Sequence, residues 1–434
     1  MTEKKPINST PRPRAKEKTT DDETDLEIIL AIFNGLDRPG VTAAITSILA
    51  EHDVSILDIG QVDIHQHLTL GILFATTPDK SGFILKDLLF GANELNITVN
   101  FRIVEPEAYS KWVEAQGKNK YIVTILAKQV SSAMVAAITR EVSAQGMNID
   151  GLDRLTGRIP LKPHERVPKA SIEISLRGNP LDREKLQKTF MQLANDFRMD
   201  ISFQQDSMFR RMRRLICFDM DSTLIKTEVM DELAVANGVG DEVKAITESA
   251  MRGEIDFTES FERRVALLKG LDVSVMKGIA ENLPLMDGME RTMHILKKVG
   301  FKIAILSGGF TYFGKYLQDR FDIDYVYAND LEVGADGKLT GRHLGEVVDG
   351  RKKAELLKLI AQVEKVDIRQ TVAVGDGAND LPMLSTAGLG IAFHAKPKVK
   401  ETARQSITTM GLDGILYFLG YKDSLMDEME FQNY

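Results

Sequence analysis

The chain has 434 residues, of which 55 are Lys or Arg and 63 are Asp or Glu, for a formal net charge of -8. That balance argues against nucleic acid as the main partner, because a phosphate backbone is gripped by a basic surface. A single cysteine, Cys217, excludes an intrachain disulfide and speaks against a cysteine-based zinc site. No run of about 18 apolar residues marks a membrane span, and the first residues lack the apolar core of a secretory signal. The cytoplasm is therefore the expected location. At roughly 150 residues per domain, the length predicts about three domains.

Residues 1–24 are polar, charged and interrupted by proline, which predicts a disordered tail. The first apolar segment, LEIILAIFNG at 26–35, reads as a strand. Beyond DRPG, the residues Val41, Ala44, Ile45, Ile48 and Leu49 fall at helical spacing, with Pro39 and Gly40 in the turn between. VSILDIGQVDIHQHLTLGILFAT then reads as two further strands. The same order recurs with the strand YIVTILAK at 121–128 and a helix over 131–146. AAITSILAEHDVSI at 43–56 aligns without a gap on AAITREVSAQGMNI at 136–149. This predicts a duplication with a period of about 90 residues, its copies joined by the polar stretch 105–120.

The two α+β units, placed at 25–105 and 118–206, resemble ACT domains, small ferredoxin-like modules that often bind amino acids at paired interfaces. The resemblance implies an amino-acid effector at these units and a homodimer. Gly40 fits the turn glycine that lets a ligand approach the backbone in such domains, or it simply permits the turn. The second copy has Val130, Ser131, Ser132 and Ala133 in the equivalent place.

From about Arg210 the texture changes. Buried β runs, LICF at 215–218, FKIAILSG at 301–308, TVAVGDG at 371–377 and LGIAF at 389–393, alternate with helical patterns. Such strands predict a parallel sheet covered on both faces over 212–434, with ligands beyond the carboxyl ends of the strands. DLEVGADGKLTGRHLGEVVDG at 330–350 reads as a hairpin.

Those strand ends carry chemistry. LICF runs into Asp219 and Asp221, and TVAVGDG delivers Asp376, followed by Asn379 and Asp380. Two like charges about 4 Å apart repel by roughly 4 kcal/mol at an effective dielectric of 20. Several carboxylates in one crevice therefore call for a cation, and an all-oxygen donor set points to Mg²⁺. Ser307, Gly308 and Gly309 offer a hydroxyl and backbone N–H groups as a phosphate seat, and Lys353 adds a positive charge. The set suits phosphoryl transfer to Asp219 followed by hydrolysis. One such motif alone is more often a turn; four in order along buried strands are hard to assign to chance.

The combination DxDST, SGG, lysine and GDGxND resembles the haloacid dehalogenase superfamily, and within it the phosphoserine phosphatases, over about 212–415. The resemblance implies Asp219 as nucleophile and Asp221 as the acid that protonates the leaving seryl oxygen and then activates water. It implies Mg²⁺ held by Asp219, the backbone carbonyl of Asp221 and Asp376, with Asp380 supporting the metal shell. Ser307, Gly308 and Lys353 would hold the phosphate, and Asn379 would contact substrate.

The segment 226–288 reads as a helical cap inserted after the nucleophile strand. Spacing alone leaves Glu228 as a helix-start acid or a partner for a substrate ammonium, and Arg264 as a solvated face or a clamp on a carboxylate. Met251 and Phe257 read from spacing as cap core rather than as substrate contacts. The resemblance selects the substrate-binding role for all four. The expected fold is thus a Rossmann-like α/β phosphatase domain with a helical cap behind two ACT-like domains. Its expected reaction is hydrolysis of phosphoserine, the last step of serine synthesis. A phosphatase for another small phosphomonoester, and an amino-acid sensor with a vestigial catalytic domain, are the rival expectations.

Overall fold

The computed structural model describes residues 26–114, 117, 119–158, 169–403 and 405–431; the expected disordered tail lies outside them. The chain divides into two compact units, Met1–Gly117 and Lys118–Tyr434.

In the first unit the elements run β1 (Glu27–Leu36), α1 (Val41–Glu51), β2 (Ser55–Ile64), β3 (His67–Thr76), α2 (Pro78–Glu94) and β4 (Thr98–Val104). The strands form an antiparallel sheet in the order β2-β3-β1-β4. Period-two alternation on β3 sends Leu68, Leu70, Ile72 and Phe74 to one face. That face meets the helical stripes Val41, Ile45, Leu49 and Ile84, Leu88, Ala92. Gly40 starts α1 at φ 98°, a left-handed conformation that favours glycine, and the space beside its Cα is open. A short exposed helix, α3 (Pro106–Glu114), follows within the stretch read as a connector.

The second unit opens with the same element order: β5 (Lys120–Ala127), α4 (Ser132–Ala144), β6 (Asn148–Arg154), β7 (Ala170–Arg177), α5 (Arg183–Phe197) and β8 (Asp200–Gln205). Its antiparallel sheet, β6-β7-β5-β8, has the order of the first. After α6 (Met208–Arg211) comes β9 (Leu215–Phe218), all four of whose residues are buried. Four helices follow: α7 (Val229–Ala236), α8 (Gly240–Met251), α9 (Phe257–Leu267) and α10 (Val275–Glu281). Then come α11 (Met289–Lys298), β10 (Lys302–Phe310), α12 (Thr311–Phe321), β11 (Tyr325–Val333), β12 (Leu339–Leu344) and α13 (Gly350–Val363). The chain closes with β13 (Thr371–Gly375), α14 (Leu381–Thr386), β14 (Leu389–Phe393), α15 (Pro397–Thr402), β15 (Ser406–Ile407), α16 (Gly414–Phe418) and α17 (Asp423–Phe431).

The second sheet of this unit has the order β12-β11-β10-β9-β13-β14-β15. It is parallel from β11 to β15, but β12 pairs antiparallel with β11. The parallel sheet expected from the sequence is present, and the hairpin expected at 330–350 forms its antiparallel edge, because β11 also pairs with β10. β9 lies between β10 and β13, where the strand order reverses, and the crevice at their carboxyl ends is the topological place for a ligand.

The two sheets of the second unit meet edge to edge through side chains. The Gln405 amide donates to the Phe203 carbonyl at 2.9 Å, and its oxygen accepts the Phe203 N–H at 3.0 Å. The Asp200 carboxylate accepts from the Thr408 and Thr409 N–H groups at 2.8 and 3.0 Å and from both threonine hydroxyls. Leu126 and Leu155 of the smaller layer belong to the same core as Phe218 and Phe393 of the larger.

Candidate active site

β9 ends at the carboxyl edge of the sheet, and the Asp219 N–H donates to the Val374 carbonyl at 2.9 Å, which fixes Asp219 beside β13. The chain then turns tightly: the Leu224 N–H reaches back to the Met220 carbonyl at 2.8 Å, and Ser222 takes φ 57°. Asp221 is buried within this turn, and its carboxylate accepts the N–H of Val229, first residue of α7, at 3.2 Å. A Cβ at Gly309 would lie 2.5 Å from Asp221 Oδ2 and 3.2 Å from Ser307 Oγ. Only a glycine fits there, and its bareness brings the end of β10 against the acid.

Asp219, Asp376 and Asp380 each present a carboxylate oxygen, and these oxygens lie within 4.8 Å of one another. Lys353, one turn into α13, is fully buried. Its Nζ reaches Asp219 at 2.8 Å and Asp380 at 2.7 Å. Asp349 caps that helix, accepting the Lys352 N–H at 2.7 Å, and so sets where Lys353 enters the site. Asp380 also accepts the Gly377 N–H at 2.9 Å.

One lysine does not neutralise this many acids. Burial, then Asp219 and Asp380, push Asp376 up to about 8. Burial and Asp219 push Asp380 up to about 6 against the pull of Lys353. Asp221 is raised well above the usual carboxylate value by burial, then by Glu228 and Asp219. Burial alone would lower Lys353, but Asp219 and Asp380 hold it above the ordinary lysine value. A hard divalent cation fits this all-oxygen, over-charged donor set.

Across the crevice, Ser307 Oγ accepts the Gly309 N–H at 2.9 Å. Asn329 on β11 donates to the Gly308 and Gly309 carbonyls at 2.9 and 3.3 Å, and its oxygen accepts the Val348 N–H at 2.9 Å. Sequence reasoning missed Asn329; YVYAND carries no signal that its asparagine turns in to hold a loop 20 residues away. Ser222 was also missed: its hydroxyl donates to Glu228 at 2.9 Å.

The helices after β9 lie over this crevice. Phe257 Cζ lies 2.9 Å from where a Cβ on Gly308 would sit, so the phenyl ring covers the loop. Arg264 is half-buried, its Nε donating to the Ser260 carbonyl at 3.3 Å. Burial lowers Arg264, while Glu228, Asp231 and Asp221 act to raise it, which places all three acids near its charge. Glu228 still reaches solvent, yet it is raised by its withdrawal among protein atoms and then by Asp219 and Asp231. Asn379 is half-buried, with its side-chain oxygen close over Gly377. The Met251 side chain lies outside the described residues.

A family model for haloacid dehalogenase-like hydrolases matches residues 213–388, and one for ACT domains matches residues 27–102. The phosphoserine phosphatase SerB2 of Mycobacterium tuberculosis is 37% identical over 90% of this chain and 93% of its own length. A phosphoserine phosphatase of Streptomyces coelicolor is 36% identical over 92% of this chain and 93% of its own. Among solved structures, a haloacid dehalogenase family hydrolase from Salmonella enterica serovar Typhi superposes with a TM-score of 0.59 at 28% identity, over 69% of this chain and 98% of that one. With an ACT domain ahead of the hydrolase fold and full-length similarity to these enzymes, the chain belongs to the phosphoserine phosphatase family of haloacid dehalogenase-like hydrolases.

Proposed function

We propose that the chain hydrolyses O-phospho-L-serine to L-serine and phosphate, the last step of serine biosynthesis, through a phosphoryl group carried on Asp219. The observation that carries the reading is the pairing of Asp219, 2.8 Å from the buried Lys353 ammonium, with a buried Asp221 that favours its protonated form. An Asp219 oxygen attacks phosphorus. As the phosphorus–oxygen bond to serine breaks, Asp221 gives its proton to the seryl oxygen, because an alkoxide is a poor leaving group. Asp221 then takes a proton from the water that attacks the aspartyl-phosphate, releasing phosphate and restoring Asp219. Mg²⁺, when held by Asp219, the Asp221 carbonyl and Asp376 with Asp380 in support, supplies charge neutralisation at the phosphoryl oxygens.

Ser307, Gly308 and Lys353 seat the phosphate in this reading, with Asn379 beside it. Arg264 clamps the substrate carboxylate and Glu228 its ammonium, with Phe257 and Met251 closing the apolar side. The ACT domain takes an amino-acid effector and pairs in a homodimer, supported by the exposed Ile59, Val62 and Ile64 on β2. Residues 118–206 act as a second ACT-like module ahead of a phosphatase domain over 212–434, whose cap spans about 226–288.

The test is phosphate release from phosphoserine with Mg²⁺ present and then chelated. Turnover retained after chelation, or by Asp219→Asn, defeats the mechanism. Arg264→Ala separates this substrate from other phosphomonoesters: kcat/KM for phosphoserine should fall about tenfold or more relative to a phosphate ester without a carboxylate. Equal losses would assign the site to another ester. A sensor with a vestigial catalytic domain would release no phosphate at all.

A further inference from the structure

Away from the acids, the second unit holds a cavity of about 500 Å³ between the β8 side of the smaller sheet and the wall made by α14, β14 and α15. Four arginines line it, Arg183, Arg210, Arg213 and Arg369, and no Asp or Glu is among its lining residues. None of the catalytic acids lines it, nor do Ser307, Gly308 or Lys353.

Two of the four cations have acid partners outside the wall. Arg210 pairs with Glu173 at 2.8 Å and Arg369 with Asp367 at 2.7 Å. Arg213 is different. It is 8% exposed, and its Nη2 donates to a neutral partner, Gln204 Oε1, at 2.7 Å. Its Nε and Nη1 have no hydrogen-bond partner, and no ion pair forms at Arg213 among the described residues. The Nε of Arg210 lacks a partner as well. Burial, then the neighbouring Arg210, lowers Arg213 to about 9. A charge withdrawn from water without a counter-ion destabilises the fold. The remaining arginines are spread on aromatic faces. Arg369 lies 3.6 Å over the Phe209 ring, and the exposed Arg183 sits 6.0 Å from the ring centres of Tyr121 and Phe203.

We propose that this crevice is a binding site for a small, multiply charged oxyanion. Guanidinium groups recognise phosphate and carboxylate oxygens through paired N–H donors, and the volume suits a small metabolite. Leu381, Leu384 and Leu389 provide an apolar floor, and Ser385 and Thr402 add hydroxyls. The unpaired Nε and Nη1 of Arg213 have no exposed surface, so the anion balances the charge of Arg213 from across the cavity wall, with Arg183 closing over it from the rim. The wall includes α14, whose N-cap residue is Asp380, so the occupant touches the helix that starts at one member of the acid cluster.

The test is thermal unfolding of the whole chain, free of divalent metal and at constant ionic strength, titrated with inorganic pyrophosphate in one arm and citrate in the other. The wild type is expected to gain several degrees in Tm from at least one anion. The arm that saturates at lower concentration identifies phosphate or carboxylate as the preferred group. In Arg183→Gln the half-saturating concentration should rise about tenfold or more. Arg213→Met should lose the response and, without anion, unfold no lower than the wild type, since it removes an uncompensated buried charge. Any anion held at the catalytic acids shifts all three proteins alike. Equal responses from the three proteins, or none from the wild type, overturn the proposal. Should Arg213→Met fail to fold, the rim variant decides alone.

Discussion

Replacing Asp376 by Asn should make the metal-free protein more stable. Asp376 stands within 4.8 Å of the carboxylate oxygens of Asp219 and Asp380. Its own carboxyl is pushed from 3.8 up to about 8 by burial and by those neighbours. At pH 7 the folded protein therefore keeps this group protonated, while the unfolded chain lets it ionise. Each pH unit between the unfolded value and the working pH costs the fold about 1.4 kcal/mol, a ceiling of about 4 kcal/mol at pH 7. Because Asp376 keeps some contact with solvent, about 2 kcal/mol is the better expectation. The sign follows from linkage. A raised folded value means stability is intact below pH 4 and is lost progressively as pH rises towards 8. Asparagine carries no such penalty, so its advantage grows over that range. For a unit of this size, about 2 kcal/mol corresponds to a Tm gain of about 3 °C. The assay is thermal unfolding in chelator between pH 5 and 8, repeated with millimolar Mg²⁺. Added Mg²⁺ should stabilise the wild type far more than the variant, reversing the order. A difference that is flat or shrinks with rising pH, or a less stable variant at every pH, would refute the electrostatic account of the cluster.

Asp221→Asn should lower phosphoserine turnover by about a hundredfold to ten-thousandfold, and aryl phosphate turnover much less, because a phenolate leaves without help. Equal losses on the two substrates would remove Asp221 from the leaving-group step. Asn329→Ala strips partners from two loop carbonyls and the Val348 amide. It should cost about 1–3 kcal/mol of stability and lower kcat/KM about tenfold; an unchanged kcat/KM would show that the loop holds its shape without it.

The acid cluster was legible because strand and motif coincide: LICF and TVAVG have no polar alternation, so Asp219 and Asp376 had to emerge at the same edge of a covered sheet. Lys353 was visible only as a nearby charge. Its fork onto Asp219 and Asp380 depends on the angle at which α13 meets the sheet, which no local pattern encodes. Glu228 immediately precedes α7 and Arg264 lies on α9, 36 positions apart, and spacing alone left them indistinguishable from solvated charges. β15 is two residues long and gives no periodic signal. β11 starts at Tyr325, ahead of the segment read as a hairpin, so the antiparallel edge of the main sheet was hidden. The contact of Phe203 with Gln405 spans 202 positions and joins a backbone to a side chain, a pairing outside any strand template.

That contact has a structural corollary. β8 and β15 are outermost strands of their sheets, the places where an open ladder can recruit a strand from another molecule. Gln405 stands in for an extra residue of strand, satisfying both backbone groups of Phe203, and Asp200 claims the amides of Thr408 and Thr409 just past β15. Each layer thereby seals the other's margin against intermolecular strand addition.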